Sequence, residues 1–236
     1  MKNYKGLQIK SDALVHDEVV SLILSKINKG SKILDYGAGE GALSERLSDE
    51  GYSVIAADID EDNFRTSKAK FHKLNFDSDD QVNHFISTFN SSFDVVIGIE
   101  VIEHVEDQWR YVRQLNSLLK PGGLIIISTP NITSWLSRFM FLIRGRFHQF
   151  LDHDLEYGHI NPISPWELNL IAKSVGFTEI QIRPGGYLPS VYLSKSIKIL
   201  FVNIIMLLLK PFMSGLTTGW CVILSARKGI ESSNNS

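Results

Sequence analysis

Three glycines at alternate positions, Gly37, Gly39 and Gly41, follow an apolar run and precede a helix-like pattern in "ILDYGAGEGALSERL". A strand, a glycine-rich turn and a helix N-terminus form a cradle for a nucleotide-type cofactor, because glycines let the ligand approach the backbone and N–H groups face it. Gly37, Gly39 and Ala42 also satisfy the dinucleotide pattern G-x-G-x-x-[GA]. The pattern predicts a cofactor site but leaves the cofactor open.

Two acidic residues of the same stretch bear on which cofactor binds. Asp35 ends the strand and Glu40 lies inside the loop. A pyrophosphate favours the positive end of a helix dipole and no nearby carboxylate. S-adenosylmethionine carries a sulfonium and an ammonium and no phosphate, so the acids favour it. A dinucleotide oxidoreductase is the alternative that these acids argue against.

Two further acids lie at predicted strand ends, where open α/β sheets bind their ligands. Asp58 ends the second strand and Glu100 closes the fourth. Each also has a simpler interpretation. Asp58 could cap the following turn, and Glu100 could be a solvated acid at the end of a strand.

A candidate general base, His104, comes four positions after Glu100 in "EVIEHVED". Histidine titrates near neutral pH, and Glu103 is a weaker candidate; alternatively, His104 packs and bonds to backbone at the start of a helix. A sulfonium is already activated, so orientation of the acceptor can supply about 7 to 11 kcal/mol. A base, worth a factor of about 100 to 10,000, is helpful rather than obligatory.

The segment "HQFLDHDLEYGHI" has no clean period and is rich in histidines and acids. We expect His153, Tyr157 and His159 to line the acceptor pocket, as part of a lid over residues 132–162. Such a cluster could instead hold a divalent metal, but it lacks H-x-x-x-H spacing, so no metal is expected. Its potential ligands are His148, Asp152, His153, Asp154, Glu156 and His159. The third alternative is that these residues only anchor the loop.

Strand-like and helix-like segments alternate from about residue 11 to residue 123, which is typical of βαβ units around a mostly parallel sheet. The pattern predicts helices over 11–27, 40–51, 61–71, 78–90, 106–120 and 163–177. It predicts strands over 32–37, 52–60, 72–77, 93–101, 124–130, 178–186 and 219–228.

The motifs taken together resemble those of class I S-adenosylmethionine-dependent methyltransferases. "LDYGAGEG" looks like that family's first motif, and "VIAADID" and "NFD" follow in the family's order. "FDVVIGIEVIEHVED", "LLKPGGLIIISTPN" and "GHINPISPWELNLIAKSVGF" are similar to the branch that includes the ubiquinone-biosynthesis O-methyltransferases. The resemblance covers about residues 11 to 186 and the last strand.

The resemblance implies a Rossmann-like α/β fold: a seven-stranded, mainly parallel sheet with an antiparallel last strand and helices on both faces. It implies S-adenosyl-L-methionine as the cofactor, with Asp58 on both ribose hydroxyls, Phe76 near the adenine ring and Asp77 near its amine. The expected cofactor-binding residues are Asp35, Gly37, Ala38, Gly39, Gly41, Asp58, Ile59, Phe76, Asp77 and Glu100. The expected reaction is O-methylation of a small or lipid-like acceptor. The alternatives are a sugar methyltransferase of surface-polysaccharide assembly and a non-catalytic cofactor-binding scaffold.

Two apolar stretches, residues 135–147 and 199–209, have no counterpart in this functional interpretation. The second would span about 17 Å as a helix, against about 30 Å of hydrocarbon, so it does not cross a bilayer unaided. Both stretches have basic neighbours: Arg138, Arg144, Arg146, Lys195, Lys198 and Lys210. This composition suits an interfacial helix on anionic lipid. The alternative is a core helix packed against the sheet.

The 236 residues predict one domain over residues 1–228, which includes an apolar helical insertion over 188–216, and a disordered tail over 229–236. A net charge of −2 gives no reason to expect nucleic acid as a partner. The single cysteine, Cys221, excludes an internal disulfide and fits a reducing compartment. Because the N-terminus has no apolar core, it does not read as a secretory signal. We therefore expect a cytoplasmic protein, with peripheral contact to the inner face of the membrane if the apolar stretches bind lipid.

Overall fold

The computed structural model describes residues 3–188, 197–209, 211 and 213–230. The predicted disordered tail lies outside the described residues from position 231 onward. The same holds for residues 189–196 of the predicted insertion and for two of its flanking lysines, Lys195 and Lys210.

A seven-stranded sheet forms the centre of the molecule, in the order β5-β4-β3-β6-β7-β9-β8. The strands β3 to β9 are Lys32–Tyr36, Ser53–Asp58, Lys70–Lys73, Phe93–Ile99, Leu119–Pro130, Phe177–Gly185 and Cys221–Lys228. All neighbours pair in parallel except β9, which is antiparallel to both β7 and β8. The predicted fold class is confirmed, including the antiparallel last strand. Two short strands, β1 (Asn3–Tyr4) and β2 (Leu7–Gln8), form a separate N-terminal hairpin.

Helices cover both faces of the sheet. They are α1 Ala13–Lys26, α2 Ala42–Asp49, α3 Asp79–Phe89, α4 Gln108–Leu118, α5 Trp135–Arg144, α6 Pro165–Ser174 and α7 Ile197–Leu209. Successive strand residues point to opposite faces, so Ile33 packs with α1 and α2 while Leu34 packs with α3, α4 and α6. The central strands are buried on both sides, which explains their continuous apolar runs.

The predicted helix over 61–71 is wrong. The chain between β4 and β5 consists of turns, and β5 begins at Lys70, two residues before the predicted strand. Short polar side chains hold these turns: the N–H of Asn63 donates to Asp60, and the N–H of Lys68 donates to Thr66. Such local bonds compete with a helix, and they outweigh the apolar spacing here.

The segment after β7 is less irregular than its sequence suggests. It contains α5 and a 3₁₀ helix, Asp152–Tyr157, while α7 lies between β8 and β9. Trp135 of α5, Leu188 and Met206 of α7 form a small buried cluster of their own. None of the helices in the described part of the chain is long and apolar enough to span a bilayer.

Candidate functional site

The glycine loop, residues 37–41, connects β3 to α2. Gly37, Gly39 and Gly41 all have positive φ, of 107°, 54° and 87°, which favours glycine at each position. A Cβ on Gly37 would overlap the Val101 side chain, and one on Gly41 would lie 2.6 Å from a carbon of Thr66. At Gly39 the nearest atom would be Cδ of Lys10, at 3.9 Å. Two of the glycines therefore permit close packing, and Gly39 is the one that faces open space.

Most N–H groups of the glycine loop donate within the protein. Gly37 and Ala38 donate to the Ala57 carbonyl at 2.8 and 3.2 Å, and Gly41 donates to that of Ala38 at 2.9 Å. The N–H of Gly39 donates to Oδ2 of Asp58 at 2.8 Å. The loop is thus held against the end of β4, with few donors left for an anion.

Asp58 supports both interpretations that the sequence left open. Its Oδ1 accepts from the N–H of Asp60 at 3.2 Å, which caps the following turn, while its Oδ2 accepts from Gly39. A carboxylate has about four acceptor positions, so these two bonds leave capacity for ribose hydroxyls. The next residue, Ile59, is more than half exposed beside it.

The two acids that favoured a cationic cofactor have structural partners. Asp35 is 2% exposed and accepts from the Ser44 hydroxyl at 2.6 Å, beneath the first turn of α2. Burial raises the pKa of Asp35 to about 6, with hydrogen bonds from Ser44 opposing the shift. Glu40 accepts from the N–H of Gln8 at 2.8 Å, which fastens the N-terminal hairpin to the loop.

The predicted adenine contacts follow β5, beside the end of β4. The Phe76 ring stacks on Tyr36, the last residue of β3, with centroids 4.2 Å apart. The carbonyl of Phe76 accepts from Arg110 at 3.1 Å. Asp77 follows at the surface, where its Oδ1 accepts from the N–H of Glu106 at 3.4 Å. Phe76 and Asp77 are thus bonded to α4 and to the turn before it.

Glu100 is half-buried, so it is not a fully solvated strand-end acid. Its φ is +56°, and its Oε1 accepts from the Ser128 hydroxyl at 2.6 Å. Burial raises its pKa to about 7, with the Ser128 bond opposing the shift. Glu103 is 0% exposed, and neither carboxylate oxygen has a hydrogen-bond partner among the described residues. Burial, and then the charge of Glu100, raise the pKa of Glu103 well above its usual range.

The rings of His104, in the turn after β6, and His159 are in contact, with centroids 4.9 Å apart and planes nearly perpendicular. Nδ1 of His159 lies 2.7 Å from the Gln149 carbonyl oxygen. Because a carbonyl only accepts, Nδ1 must donate, which leaves the lone pair of Nε2 available. Burial lowers the pKa of His104 to about 4, and the charges of His159 and Lys10 lower it further.

The lid segment is docked on the turn after β6 by backbone bonds. The N–H groups of Ile160 and Asn161 donate to the Glu103 carbonyl at 3.2 and 3.0 Å, and Gln108 donates to the Asn161 carbonyl at 2.8 Å. Gly158 passes close to His104: a Cβ added to Gly158 would lie 2.9 Å from Nδ1 of His104. This docking brings together residues 53 to 58 positions apart in the chain.

The other two predicted pocket residues stand apart from this pair. Tyr157 is 73% exposed. The His153 side chain is also mostly exposed, and its Nε2 lies 3.3 Å from Oδ1 of its neighbour Asp154. Of the three predicted pocket residues, His159 is partly buried, while His153 and Tyr157 are exposed.

A family model described as a methyltransferase domain matches residues 11–182. The chain belongs to this family. A ubiquinone biosynthesis O-methyltransferase of Ruegeria pomeroyi is 39% identical over 104 residues, 43% of this chain and 42% of the relative. One from Cereibacter sphaeroides is 29% identical over 185 residues, 66% of this chain and 75% of the relative. The match to the first relative thus spans less than half of its length.

Solved methyltransferases share the fold. A SAM-dependent methyltransferase of Archaeoglobus fulgidus aligns with a TM-score of 0.63 and 21% identity, covering 90% of this chain and 94% of that one. The Haemonchus contortus phosphoethanolamine N-methyltransferase 2, in complex with S-adenosyl-L-methionine, aligns at 0.59 and 14% identity, over 94% and 54%.

S-adenosyl-L-methionine is the cofactor of this methyltransferase. The site fits it on structural grounds: the open face at Gly39, the spare acceptor positions of Asp58 and the stacked Phe76 lie along the carboxyl ends of β3, β4 and β5. The sequence did not indicate Lys10, Ser44 or Gln149. Their roles depend on long-range contacts, for which no local spacing is a signal.

Three side chains with metal-ligating atoms lie together around His104. Within the described residues, Glu103, His104 and His159 place ligand-type atoms within 4.8 Å of one another. Two imidazoles and a carboxylate suit zinc, iron or manganese. This cluster shares only His159 with the segment of residues 148–159 that the sequence offered as an alternative metal site.

Proposed function

We propose that this methyltransferase transfers a methyl group to a hydroxyl oxygen of a small amphiphilic acceptor bound between the cofactor and the histidine pair. The observation that carries the proposal is the contact of His104 with His159 at the cofactor edge of the sheet. O-methylation is favoured by the curated relatives, whose printed names are ubiquinone biosynthesis O-methyltransferases.

The histidine pair suits the removal of a hydroxyl proton. With Nδ1 of His159 donating to Gln149, its Nε2 lone pair can accept a hydrogen bond from the acceptor hydroxyl. The lowered pKa of His104, about 4, keeps that ring uncharged at neutral pH and makes it a weaker base than a free imidazole. The cofactor supplies the methyl group on a sulfonium, so the protein needs chiefly to align the acceptor.

We further propose that the acceptor is reached at a membrane surface, through α5 and α7. Leu142 of α5 is 83% exposed, and Phe141 and Ile143 beside it are about half or more exposed. The exposed apolar residues of α7 are Leu200, Phe201, Ile204, Leu207 and Leu208. This argues against the alternative in which both stretches are core helices. With Arg138, Arg144 and Arg146 next to it, the surface has the composition of an interfacial anchor for anionic lipid.

An acceptor screen with radiolabelled cofactor tests the reaction. We expect incorporation into alkylated phenols or catechols in detergent micelles, and less into the same ring without the alkyl chain. Incorporation into sugar acceptors only would replace the proposal with the surface-polysaccharide alternative. Cofactor binding without turnover of any class, unaffected by His104→Gln and His159→Gln, would favour the scaffold.

Vesicle flotation tests the surface separately. We expect wild type to float with phosphatidylglycerol vesicles and Leu142→Asp to float much less. Ile230→Asp is the matched control, because Ile230 is also exposed but lies beside Gly122, within β7. Equal loss in both variants, or a wild type that never floats, would contradict the membrane proposal.

A further inference from the structure

The amino-acid end of the cofactor carries a carboxylate as well as an ammonium, and the glycine loop is poorly suited to the carboxylate. Four of its N–H groups already donate inside the protein, one of them to Asp58. The acids nearby, Asp35, Asp58 and Glu100, suit the ammonium and sulfonium but repel an anion. A cation from elsewhere in the chain is needed to balance them.

Lys10 is placed to be that cation. It stands over the open side of the loop, with its Cδ the nearest atom to the position of a Cβ on Gly39, at 3.9 Å. Its side chain is exposed, and it forms no ion pair with any residue that the structure describes.

The N-terminal hairpin holds Lys10 in this position. The N–H of Gln8 donates to Glu40 inside the loop at 2.8 Å. At the other end of the hairpin, Tyr4 and Lys5 both donate to Asp49 of α2, at 2.9 and 2.6 Å. On its C-terminal side, Asp12 caps α1. Lys10 thus lies on a short strap that is held by hydrogen bonds at both ends.

We propose that the Lys10 ammonium binds the carboxylate of the methionine part of S-adenosyl-L-methionine. The strap and the glycine loop then form one site: carboxylates face the cationic groups of the cofactor, and Lys10 faces its anionic group. Glu40 acts as a positioning residue for Lys10 through Gln8. The proposal depends on the cofactor alone and not on the identity of the acceptor.

Calorimetry with two ligands tests the proposal. S-adenosylhomocysteine has the amino-acid end, and 5′-methylthioadenosine lacks it. We expect Lys10→Met to lower the affinity for S-adenosylhomocysteine about tenfold, which is the effect of losing one partly exposed charge-assisted hydrogen bond. The affinity for 5′-methylthioadenosine should stay at the wild-type value, and Lys10→Arg should restore most of the loss.

The control is Lys29→Met, which removes an exposed lysine paired with Glu50, away from the loop. Added salt should weaken S-adenosylhomocysteine binding in wild type and in Lys29→Met more than in Lys10→Met. Equal losses for both ligands in Lys10→Met would mean that Lys10 only supports the strap, and unchanged affinities would mean that it has no role. Wild type that binds 5′-methylthioadenosine no more weakly than S-adenosylhomocysteine would overturn the Lys10 proposal alone. Wild type that binds neither would overturn the cofactor as well.

Discussion

Single side chains hold the glycine loop at the positions proposed to contact the cofactor. Asp58 accepts from the N–H groups of Gly39 and Asp60, so it holds the loop and the following turn together. Asp35 lies beneath the loop on Ser44. Substitutions at these positions therefore change both folding and binding, and experiments must separate the two.

We expect Asp58→Ala to lower the affinity for S-adenosylhomocysteine by a factor of about 10 to 100, since hydrogen bonds to a charged group are worth about 1.5 to 3 kcal/mol. Asp58→Asn keeps an oxygen for only one of the two backbone N–H donors, so it should lower the unfolding midpoint less than Asp58→Ala does while still binding the ligand more weakly. Isothermal calorimetry and thermal unfolding measure the two effects. Asp62→Ala, exposed in the same turn, is the control. A wild-type affinity in Asp58→Ala would leave turn capping as the role of Asp58.

Asp35 gives a pH-dependent stability with a defined sign. Its pKa is about 6 in the folded protein against 3.8 for the free group, so the folded state binds the proton more tightly than the unfolded state. Stability from this residue is present below pH 3.8 and is lost as the pH rises to about 6. At about 1.36 kcal/mol per pKa unit the loss is roughly 3 kcal/mol. The free energy of unfolding in urea should be measured for wild type and for Asp35→Asn across this pH range. We expect the value for wild type minus the value for Asp35→Asn to fall as the pH rises, and a difference that does not change with pH would contradict the prediction.

At the scale of elements, the acceptor side depends on how firmly the lid segment is docked. Asn161 donates from its amide to the carbonyls of Val105 and Glu106, both at 3.2 Å. Asn161→Ala should cost about 1 to 2 kcal/mol of stability. It should also raise the pKa of His104 from about 4 toward 6.5, because burial under the lid lowers it. Imidazole titration by NMR measures the shift, with Asn169→Ala on α6 as the control. An unchanged His104 pKa would mean that burial does not come from the lid.

The elements also show what the sequence could predict. Runs such as "KILDYG" and "FDVVIGIEV" identify buried parallel strands, because burial on both faces removes alternation. The helix expected over 61–71 failed because Asp60 and Thr66 bond locally to backbone. The hairpin of β1 and β2 was not predicted, since strands of two residues are too short to show an alternation of apolar and polar residues. The sequence could propose His104 as a base and His159 as a residue of the acceptor pocket. It could not predict their contact, which depends on bonds between Glu103 and Asn161 that leave no local signal.

At the scale of the whole molecule, the two large apolar clusters stabilise the sheet, while the glycine loop and the turn with His104 follow the carboxyl ends of its central strands. The hairpin with Lys10 lies on the cofactor side, and the lid with His159 lies on the acceptor side. Both act on His104, since the charges of Lys10 and His159 each lower its pKa. The exposed helices α5 and α7 pack on their own small cluster around Trp135 and Met206. The hairpin, the docked part of the lid around His159, and α5 with α7 should therefore respond to different ligands, although α5 belongs to the same lid segment.

Hydrogen exchange read by mass spectrometry can check this separation. We expect S-adenosylhomocysteine to slow exchange in residues 3–12 and 37–41, because its amino-acid end bridges the strap and the glycine loop. Phosphatidylglycerol vesicles should slow exchange in α5 and α7 and leave residues 3–12 unchanged. Lys10→Met should remove the cofactor's effect on the strap but keep its effect on the turn after Asp58, where the ribose is held. Protection of α7 by the cofactor in the absence of lipid, with none in the strap, would instead make α7 the lid of the cofactor site.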